Sequence, residues 1–261
     1  MNGGKCVIFG NCQSFGLAHF LRKAKFPYDI KVFENYKLIL KEQTPEALRE
    51  SAAQCDLFIA QPTREMAHGE LSAEYYIEKV IPKTAQVITF PYCVNNGFFP
   101  LIGHGDGFMG TAEMSADYWK LSKDCLLAMY DTGLIDFALW PRFLACAAEQ
   151  ARREQQCDIR LSTWIINNRH LPLFLNFNHP SSLLFAELAR EVISFVNDAE
   201  APEIHVHGLN EANLPCDLPF SSYVIEEFNW QIQANPFAHA HYRKLLGMAW
   251  DKGNPLSRST T

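Results

Sequence analysis

Short apolar runs alternate with helix signals through residues 1–90, and this alternation restricts the fold more than any other feature of the chain. The runs have the length of strands and end at glycine, proline or polar residues. They are Cys6–Phe9, Asp29–Phe33, Cys55–Ala60 and Ala85–Phe90. Because parallel neighbours need a crossover segment between them, usually a helix, the pattern predicts a mainly parallel sheet. We therefore predict an α/β fold of three layers, in which the sheet lies between two layers of helices.

Polar residues mark the expected helix starts. Ser14 can cap a helix that follows the first strand. Thr44 precedes Pro45, which suits the first position of a helix. Ser72 begins a third helical stretch, which Pro82 ends. Strands and helices therefore follow one another as in crossover units.

The length of the chain allows one large core. It has 261 residues, of which 48% are hydrophobic, and we expect a single α/β domain over residues 1–261. From about residue 113 to 170 the composition turns helical, which we interpret as a helical insert. Residues 97–112 form a glycine-rich loop that contains His104. A loop of this length in a compact domain is typically functional or a connector.

Charge and hydropathy exclude several kinds of partner. The net charge is −6 and no basic stripe is interleaved with aromatic residues, so we expect no nucleic-acid partner. No apolar run approaches the roughly 20 residues that cross a bilayer. The segment Met1–Gly4 also lacks the basic and apolar regions of a signal peptide. We therefore expect a cytoplasmic protein, and leave a homo-oligomer open.

The cysteines and histidines give no metal signature. Eight cysteines are spread over apolar contexts without a Cys-x-x-Cys pair, which favours reduced thiols over a disulfide framework or a zinc site. His205 and His207 share one face of a strand-like run over residues 204–207, but no acidic or cysteine partner is near. We expect no metal.

Polar or reactive residues follow three of the expected strands, at residues 11–13, 61–64 and 92–97. Ligands of parallel sheets bind beyond the carboxyl ends of the strands. Cys12 lies there at a strand-to-helix turn, where the helix N-terminus favours a thiolate over a thiol. Cys12 is therefore a candidate nucleophile. The alternative is a small apolar filler, as free cysteines commonly are.

His179 and Asn176 supply the other members of a candidate triad. A cysteine nucleophile needs a base, and the base needs a third group to fix its tautomer. His179 precedes a helix that Ser181 or Ser182 can cap, and Asn176 lies three residues before it. The alternative interpretation is an ordinary turn in which Asn178 caps the helix.

Amide groups at the same strand ends are candidate ligands of an oxyanion or of the substrate. The donors are the backbone N–H of Cys12 or Gln13 and the side chain of Asn95 or Asn96, with Asn11 in the same turn as Cys12. The alternative for residues 95–97 is a turn signal and nothing more.

The order of these segments resembles SGNH-type hydrolases and acyltransferases. Residues 10–13, the turn at 95–96 and residues 176–180 correspond to a Gly-Asp-Ser nucleophile block, an oxyanion block and an Asp-x-x-His-Pro block. The resemblance implies an SGNH-like or flavodoxin-like sheet. The chain departs from the pattern at three places, with Cys12 for serine and Asn11 and Asn176 for aspartate, which argues against ordinary serine esterase activity.

A closer resemblance is to the WcbI-type family of capsular-polysaccharide biosynthesis proteins. It rests on residues 10–13, on residues 178–180 before a helix, and on similar size. It implies an acetyltransferase that uses coenzyme A or acetyl-coenzyme A and acts on a sugar or polysaccharide precursor in capsule or exopolysaccharide biosynthesis. The expected coenzyme A contacts are Cys12, Gln13, Ser14, Arg64 and His104, with Arg64 as the candidate for the phosphates.

Two other functions fit the same residues. One is a cysteine-dependent esterase or hydrolase on an SGNH-like fold. The other is a non-catalytic module that binds a sugar or nucleotide.

Overall fold

The structure is a computed structural model that describes residues 3–63, 69–99, 101, 115, 117–214 and 219–253. Its centre is a parallel sheet with the strand order β2-β1-β3-β4. The strands are β1 Gly4–Gly10, β2 Tyr28–Glu34, β3 Leu57–Ala60 and β4 Gln86–Thr89. A two-stranded antiparallel hairpin follows later, formed by β5 Phe174–Asn176 and β6 His179–Pro180. The predicted α/β class and mainly parallel sheet are confirmed.

Helices connect the strands and fill the second half of the chain. They are α1 Gln13–Lys23, α2 Asn35–Ile39, α3 Pro45–Ala52, α4 Ala73–Lys79, α5 Lys123–Asp131, α6 Leu139–Glu154, α7 Ser162–Asn167, α8 Ser182–Asn197, α9 Ser222–Glu227 and α10 Ala238–Gly253. The described elements between β4 and β5 are helical, where the sequence predicts a helical insert. Within the described ranges no helix has the length and apolar character needed to cross a bilayer.

The sheet is buried on both faces, because side chains alternate along each strand. In β1, Cys6 and Ile8 belong to the large core shared with α1 and α8. Val7 and Phe9 belong to a second core with residues of α3 and α4. The sheet is therefore the middle of three layers.

Local capping agrees with the sequence at two helices and differs at one. The side chains of Thr44 and Ser72 accept N–H bonds at the starts of α3 and α4, as predicted. The prediction that Ser14 caps α1 is wrong. The chain is already helical at Cys12, which is the N-cap, and Ser14 lies buried in the first turn. Residues 204–207, strand-like in sequence, form no strand, because no neighbouring strand pairs with them.

The packing of α1 on α8 depends on a glycine. A Cβ built on Gly16 would lie 2.3 Å from the nearest ring atom of Phe185, so only glycine allows this approach. α1 begins directly after Cys12, and α8 begins at Ser182, three residues after His179. Their close packing therefore brings two distant turns together.

Candidate active site

Cys12 and His179 meet beyond the carboxyl end of the sheet. The Sγ atom of Cys12 lies 3.4 Å from Nε2 of His179, although the two residues are 167 positions apart in the chain. Cys12 reaches this point from the end of β1, and His179 from the second strand of the antiparallel hairpin. Both side chains are partly buried. The thiol and the imidazole thus form a direct hydrogen-bonded pair.

Asn176 orients the imidazole. Its amide lies against Nδ1 of His179, with Oδ1 at 3.0 Å and Nδ2 at 2.8 Å, and Oδ1 also accepts the backbone N–H groups of Asn178 and His179 at 3.0 and 2.9 Å. The two backbone bonds identify Oδ1 as the amide oxygen, and we assign the ring hydrogen to Nδ1, where it donates to this oxygen. With Nδ1–H donating to Asn176, Nε2 carries the lone pair that faces the thiol of Cys12. The structure therefore brings all three predicted triad residues together.

The protonation of Cys12 differs from the sequence prediction. Burial, and next the charge of Glu34, raise the pKa of the Cys12 thiol to about 11. The backbone N–H groups of Cys12 and Gln13 and the charge of Lys37 act in the opposite direction but are outweighed. The expectation of a thiolate favoured by the helix N-terminus is therefore wrong. At neutral pH Cys12 is a thiol, and it needs a base to become a nucleophile.

Gln13 and Gln61 form a buried amide pair that links the strand-end loops. Gln13 Nε2 donates to the carbonyl oxygens of Cys93 and Asn178 at 2.7 and 2.8 Å, and its Oε1 accepts the N–H of Cys93 and Nε2 of Gln61. Oε1 of Gln61 accepts the N–H of Asn11 at 2.8 Å. Both glutamines are fully or almost fully buried. The side chain of Gln13, predicted to bind substrate or coenzyme, instead supports the site.

Asn95 and Asn96 also have structural contacts. Oδ1 of Asn95 accepts the N–H of Gly97 at 2.9 Å, and its own N–H donates to the carbonyl of Phe177. The Oδ1 of Asn96 accepts the thiol of Cys146 on α6 at 2.7 Å. Asn95 therefore braces the hairpin, and Asn96 is held toward α6. These contacts involve Oδ1 of each amide, so the predicted oxyanion role, which would use Nδ2, stays a prediction.

The remaining predicted ligands have different outcomes. Asn11 lies in the Cys12 turn, partly exposed, and its Oδ1 accepts the N–H of Gln13 at 2.9 Å. Ser14 is completely buried, which excludes it from contact with a ligand at the surface. Arg64 and His104 lie outside the described residues. In the part of the chain that is described, no three His, Cys, Asp or Glu side chains come together as a metal site.

Two groups of side chains near Cys12 were missed by sequence reasoning. Glu34 is the last residue of β2, and Tyr36 and Lys37 come directly after it, at the one strand end that we did not treat as carrying site residues. On the other side, the hydroxyl of Tyr92 is hydrogen-bonded to the side chain of Asn178, and the Arg153 guanidinium lies 5.8 Å from the Tyr92 ring centre. The rule that ligands bind beyond strand ends would have found the first group, had it been applied to β2.

The fold and the site together define an α/β protein with a Cys-His-Asn constellation at the carboxyl edge of a parallel sheet. Residues 5–198 match the family model described as "Polysaccharide biosynthesis enzyme WcbI", and the chain belongs to this family. The resemblance drawn from the sequence is thus confirmed. A comparison with curated proteins finds no significant match.

A solved structure of WcbI has a similar fold. It is described as a novel polysaccharide biosynthesis enzyme, in a native form without a disulfide bond between coenzyme A and a cysteine. The sequences are 17% identical, the TM-score is 0.75, and the match covers 99% of this chain and 93% of that chain. At this identity the likeness establishes the α/β fold.

Proposed function

We propose that this protein is a coenzyme A-dependent O-acetyltransferase that acetylates a sugar or polysaccharide precursor through Cys12. The observation that carries the proposal is the 3.4 Å contact between Cys12 Sγ and His179 Nε2, with Asn176 on the opposite ring nitrogen. Membership of a family of polysaccharide biosynthesis enzymes supports the substrate class. The description of the similar solved structure, which mentions coenzyme A and a cysteine, supports the co-substrate.

In the first step, His179 acts as a general base. Its Nε2 takes the proton of the Cys12 thiol as Sγ attacks the carbonyl carbon of acetyl-coenzyme A. The tetrahedral intermediate then expels the coenzyme A sulfur, which receives the proton from His179. Cys12 is left as an acetyl thioester. Because the thiol is protonated at rest, this transfer of its proton is essential to the attack.

In the second step, the same imidazole activates the acceptor. Nε2 of His179 takes the proton of a sugar hydroxyl while that oxygen attacks the acetyl carbon on Cys12. The bond to Cys12 breaks, and the sulfur recovers the proton from His179. The acetyl group ends as an ester on the sugar, and the enzyme returns to its starting state.

The negative charge that develops on the acyl oxygen requires nearby donors. The backbone N–H of Cys12 is one candidate donor, because it favours negative charge on the sulfur and lowers the pKa of the thiol. Asn11 offers a second donor in the same turn. Its Oδ1 is held by the N–H of Gln13, so its Nδ2 is the part of the amide left to donate.

The phosphates of coenzyme A require cations, and α6 supplies them near the Cys12–His179 pair. Arg152 and Arg153 share one carboxylate, that of Glu149, so these three side chains carry one surplus positive charge. Arg153 lies over Tyr92, which is bonded to the hairpin that carries His179. This cluster is our candidate phosphate site.

The proposal is tested by following acetylation of the protein itself. Purified protein is mixed with acetyl-coenzyme A, and intact-mass and peptide analysis locate any acetyl group. We expect one acetyl group on Cys12 in the wild type, none in Cys12→Ser at that position, and at least about a hundredfold slower labelling in His179→Ala. Cys125, which is exposed, is an internal control for non-enzymatic acetylation. Equal labelling of Cys12 and Cys125 would contradict the proposal.

A further inference from the structure

Three side chains at the end of β2 form a connected cluster beside Cys12, named here the β2 cluster: Glu34, Tyr36 and Lys37. The Glu34 carboxylate is almost fully buried, with 3% of its side chain exposed, and it forms an ion pair with Lys37. The Tyr36 hydroxyl donates a hydrogen bond to the same carboxylate, and Lys37 is also bonded to Tyr36. The cluster is therefore held in one arrangement by mutual bonds.

The β2 cluster and the hairpin approach Cys12 from different sides. β2 pairs with one edge of β1, and Glu34 lies opposite Gly10 in the register, two residues before Cys12. β3 pairs with the other edge of β1 and β4 lies beyond it. The hairpin is tied to this second side, because Gln13 bonds both Cys93 and Asn178. The base and the β2 cluster thus lie on different sides of the turn that carries Cys12.

The β2 cluster is close enough to act on the sulfur and open enough to meet a ligand. The charges of Glu34 and Lys37 both affect the ionisation of Cys12, and the thiol affects Tyr36. Tyr36 is 38% exposed and the Lys37 side chain 31% exposed, while the carboxylate beneath them is buried. A ligand that reaches Cys12 from this side would contact the phenol ring and the ammonium group.

The charges of the two side-chain clusters indicate which substrate each cluster suits. The β2 cluster is neutral overall, with one carboxylate and one ammonium, so it offers no net attraction to a polyanion such as coenzyme A. On α6, Arg152 and Arg153 supply two guanidinium groups for the one carboxylate of Glu149, while the neighbouring Glu154 carboxylate is buried and accepts bonds from Gln150, Leu161 and Ser162. An exposed aromatic ring beside fixed hydrogen-bonding groups suits a neutral polyhydroxylated ring, whose C–H face packs on the aromatic ring and whose hydroxyls bond to the charged groups.

We propose that Glu34, Tyr36 and Lys37 form the acceptor site, which binds a neutral sugar ring and presents one of its hydroxyls to the acyl group on Cys12. This inference rests on the proposed function, because it names the acceptor side of the same site. Tyr36 and Lys37 contact the sugar, and Glu34 holds both in place.

The experiment separates the two half-reactions. Acetyl-Cys12 is first formed with acetyl-coenzyme A, and its discharge is then followed by mass analysis on addition of a panel of methyl hexopyranosides. In Tyr36→Ala and Lys37→Met the discharge is followed on protein that already carries acetyl-Cys12, so that an effect of either substitution on the formation of acetyl-Cys12 does not enter the measurement. In both variants the half-saturating concentration for the methyl glycoside should rise at least about tenfold. Tyr36→Phe, which keeps the ring, should lose less than Tyr36→Ala.

Lys120→Met is the matched control, because Lys120 forms an i,i+3 pair with Asp117 as Lys37 does with Glu34, but on a fully exposed turn. It should match the wild type in both half-reactions, and equal thermal midpoints of all variants show that folding is intact. If discharge by the methyl glycoside is unchanged in both Tyr36→Ala and Lys37→Met, the acceptor site is wrong. The proposed acetyl transfer through Cys12 is not contradicted by that result.

A second measurement tests the site even if no acetyl-Cys12 forms. Saturation-transfer NMR with the same methyl hexopyranosides needs no turnover. A signal in the wild type and in Lys120→Met that is lost in Tyr36→Ala supports the acceptor site. No signal in the wild type, or an equal signal in Tyr36→Ala, overturns it. Failure of the proposed function and failure of the acceptor site therefore give different results.

Discussion

Gly16 of α1 lies against the ring of Phe185 of α8 with no room for a methyl group between them. A Cβ at this position would meet three ring atoms at 2.3 to 2.6 Å. The contact lies one turn after Cys12 and close to the start of the helix that follows His179. This packing therefore contributes to placing the thiol beside the base.

Replacement of this glycine should destabilise the protein, against the usual trend. Glycine to alanine inside a helix normally stabilises by roughly 0.5–1 kcal/mol. For Gly16→Ala we expect a net loss of about 1–3 kcal/mol, because the ring of Phe185 must move within a packed core. Chemical denaturation measures the difference.

Gly247 of α10 is the matched control, since a Cβ there meets only the flexible Lys123 side chain, at 3.3 Å. Gly247→Ala should be neutral or stabilising. If Gly16→Ala were as stable as Gly247→Ala, the packing described for α1 and α8 would be wrong.

The alkylation of Cys12 should increase with pH as expected for a thiol of high pKa. A thiolate reacts with iodoacetamide and a thiol does not. Because burial and Glu34 hold the pKa of Cys12 at about 11, its alkylation rate should rise about tenfold per pH unit between neutrality and pH 10 or so. Peptide-resolved mass analysis measures this rate at Cys12 alone. A flat profile from about pH 6 upward would mean that Cys12 and His179 form an ion pair at rest.

Removal of the Glu34 charge should make Cys12 more reactive. Glu34 disfavours the thiolate, and it also neutralises Lys37, which favours it. Glu34→Gln should therefore lower the pKa of Cys12, and each unit of that shift raises alkylation at a fixed pH by about tenfold. Glu187→Gln, at another largely buried carboxylate, on α8, is the control and should leave the rate unchanged. A slower alkylation of Cys12 in Glu34→Gln would show that the Glu34 carboxylate does not disfavour the thiolate.

Loss of the Gln61 amide should be costly. Gln61→Leu removes the acceptor of the Asn11 N–H and the donor to Gln13, both at part-buried or buried positions. Each unsatisfied group costs about 1–3 kcal/mol. We expect a fall in the free energy of unfolding of that order, measured by denaturant titration.

Gln54→Leu provides the comparison, since the exposed Gln54 side chain accepts a hydrogen bond from the exposed Lys5 ammonium. It should change stability by less than about 0.5 kcal/mol. Equal losses of unfolding free energy in the two variants would show that the buried pair of Gln13 and Gln61 stabilises the protein no more than an exposed hydrogen bond does.

The sequence predicts the frame of the site well. Strand-length apolar runs and the caps Thr44 and Ser72 are local signals, and parallel pairing follows from the crossovers between them. The proximity of Cys12 and His179 could also be predicted, because turns at the same edge of a sheet lie close together.

Other properties depend on three-dimensional neighbours and could not be predicted. The pKa of Cys12 is set by burial and by Glu34, which lies on another strand and outweighs the local helix terminus. Gln13 has the composition of a ligand, and only its bonds to Cys93, Asn178 and Gln61 identify it as a support. The alternation at residues 204–207 suits a strand, but a strand forms only where a partner is present to pair with it.

Asn176 and His179 belong to one short hairpin, whereas Cys12 comes from the opposite end of the chain. The imidazole and its orienting amide are thus a local unit that stays assembled during partial opening of the molecule. Loosening of α1 would move the sulfur away from the imidazole and would also break the bonds from Gln13 to Cys93 and Asn178, so a small local opening is enough to separate thiol and base.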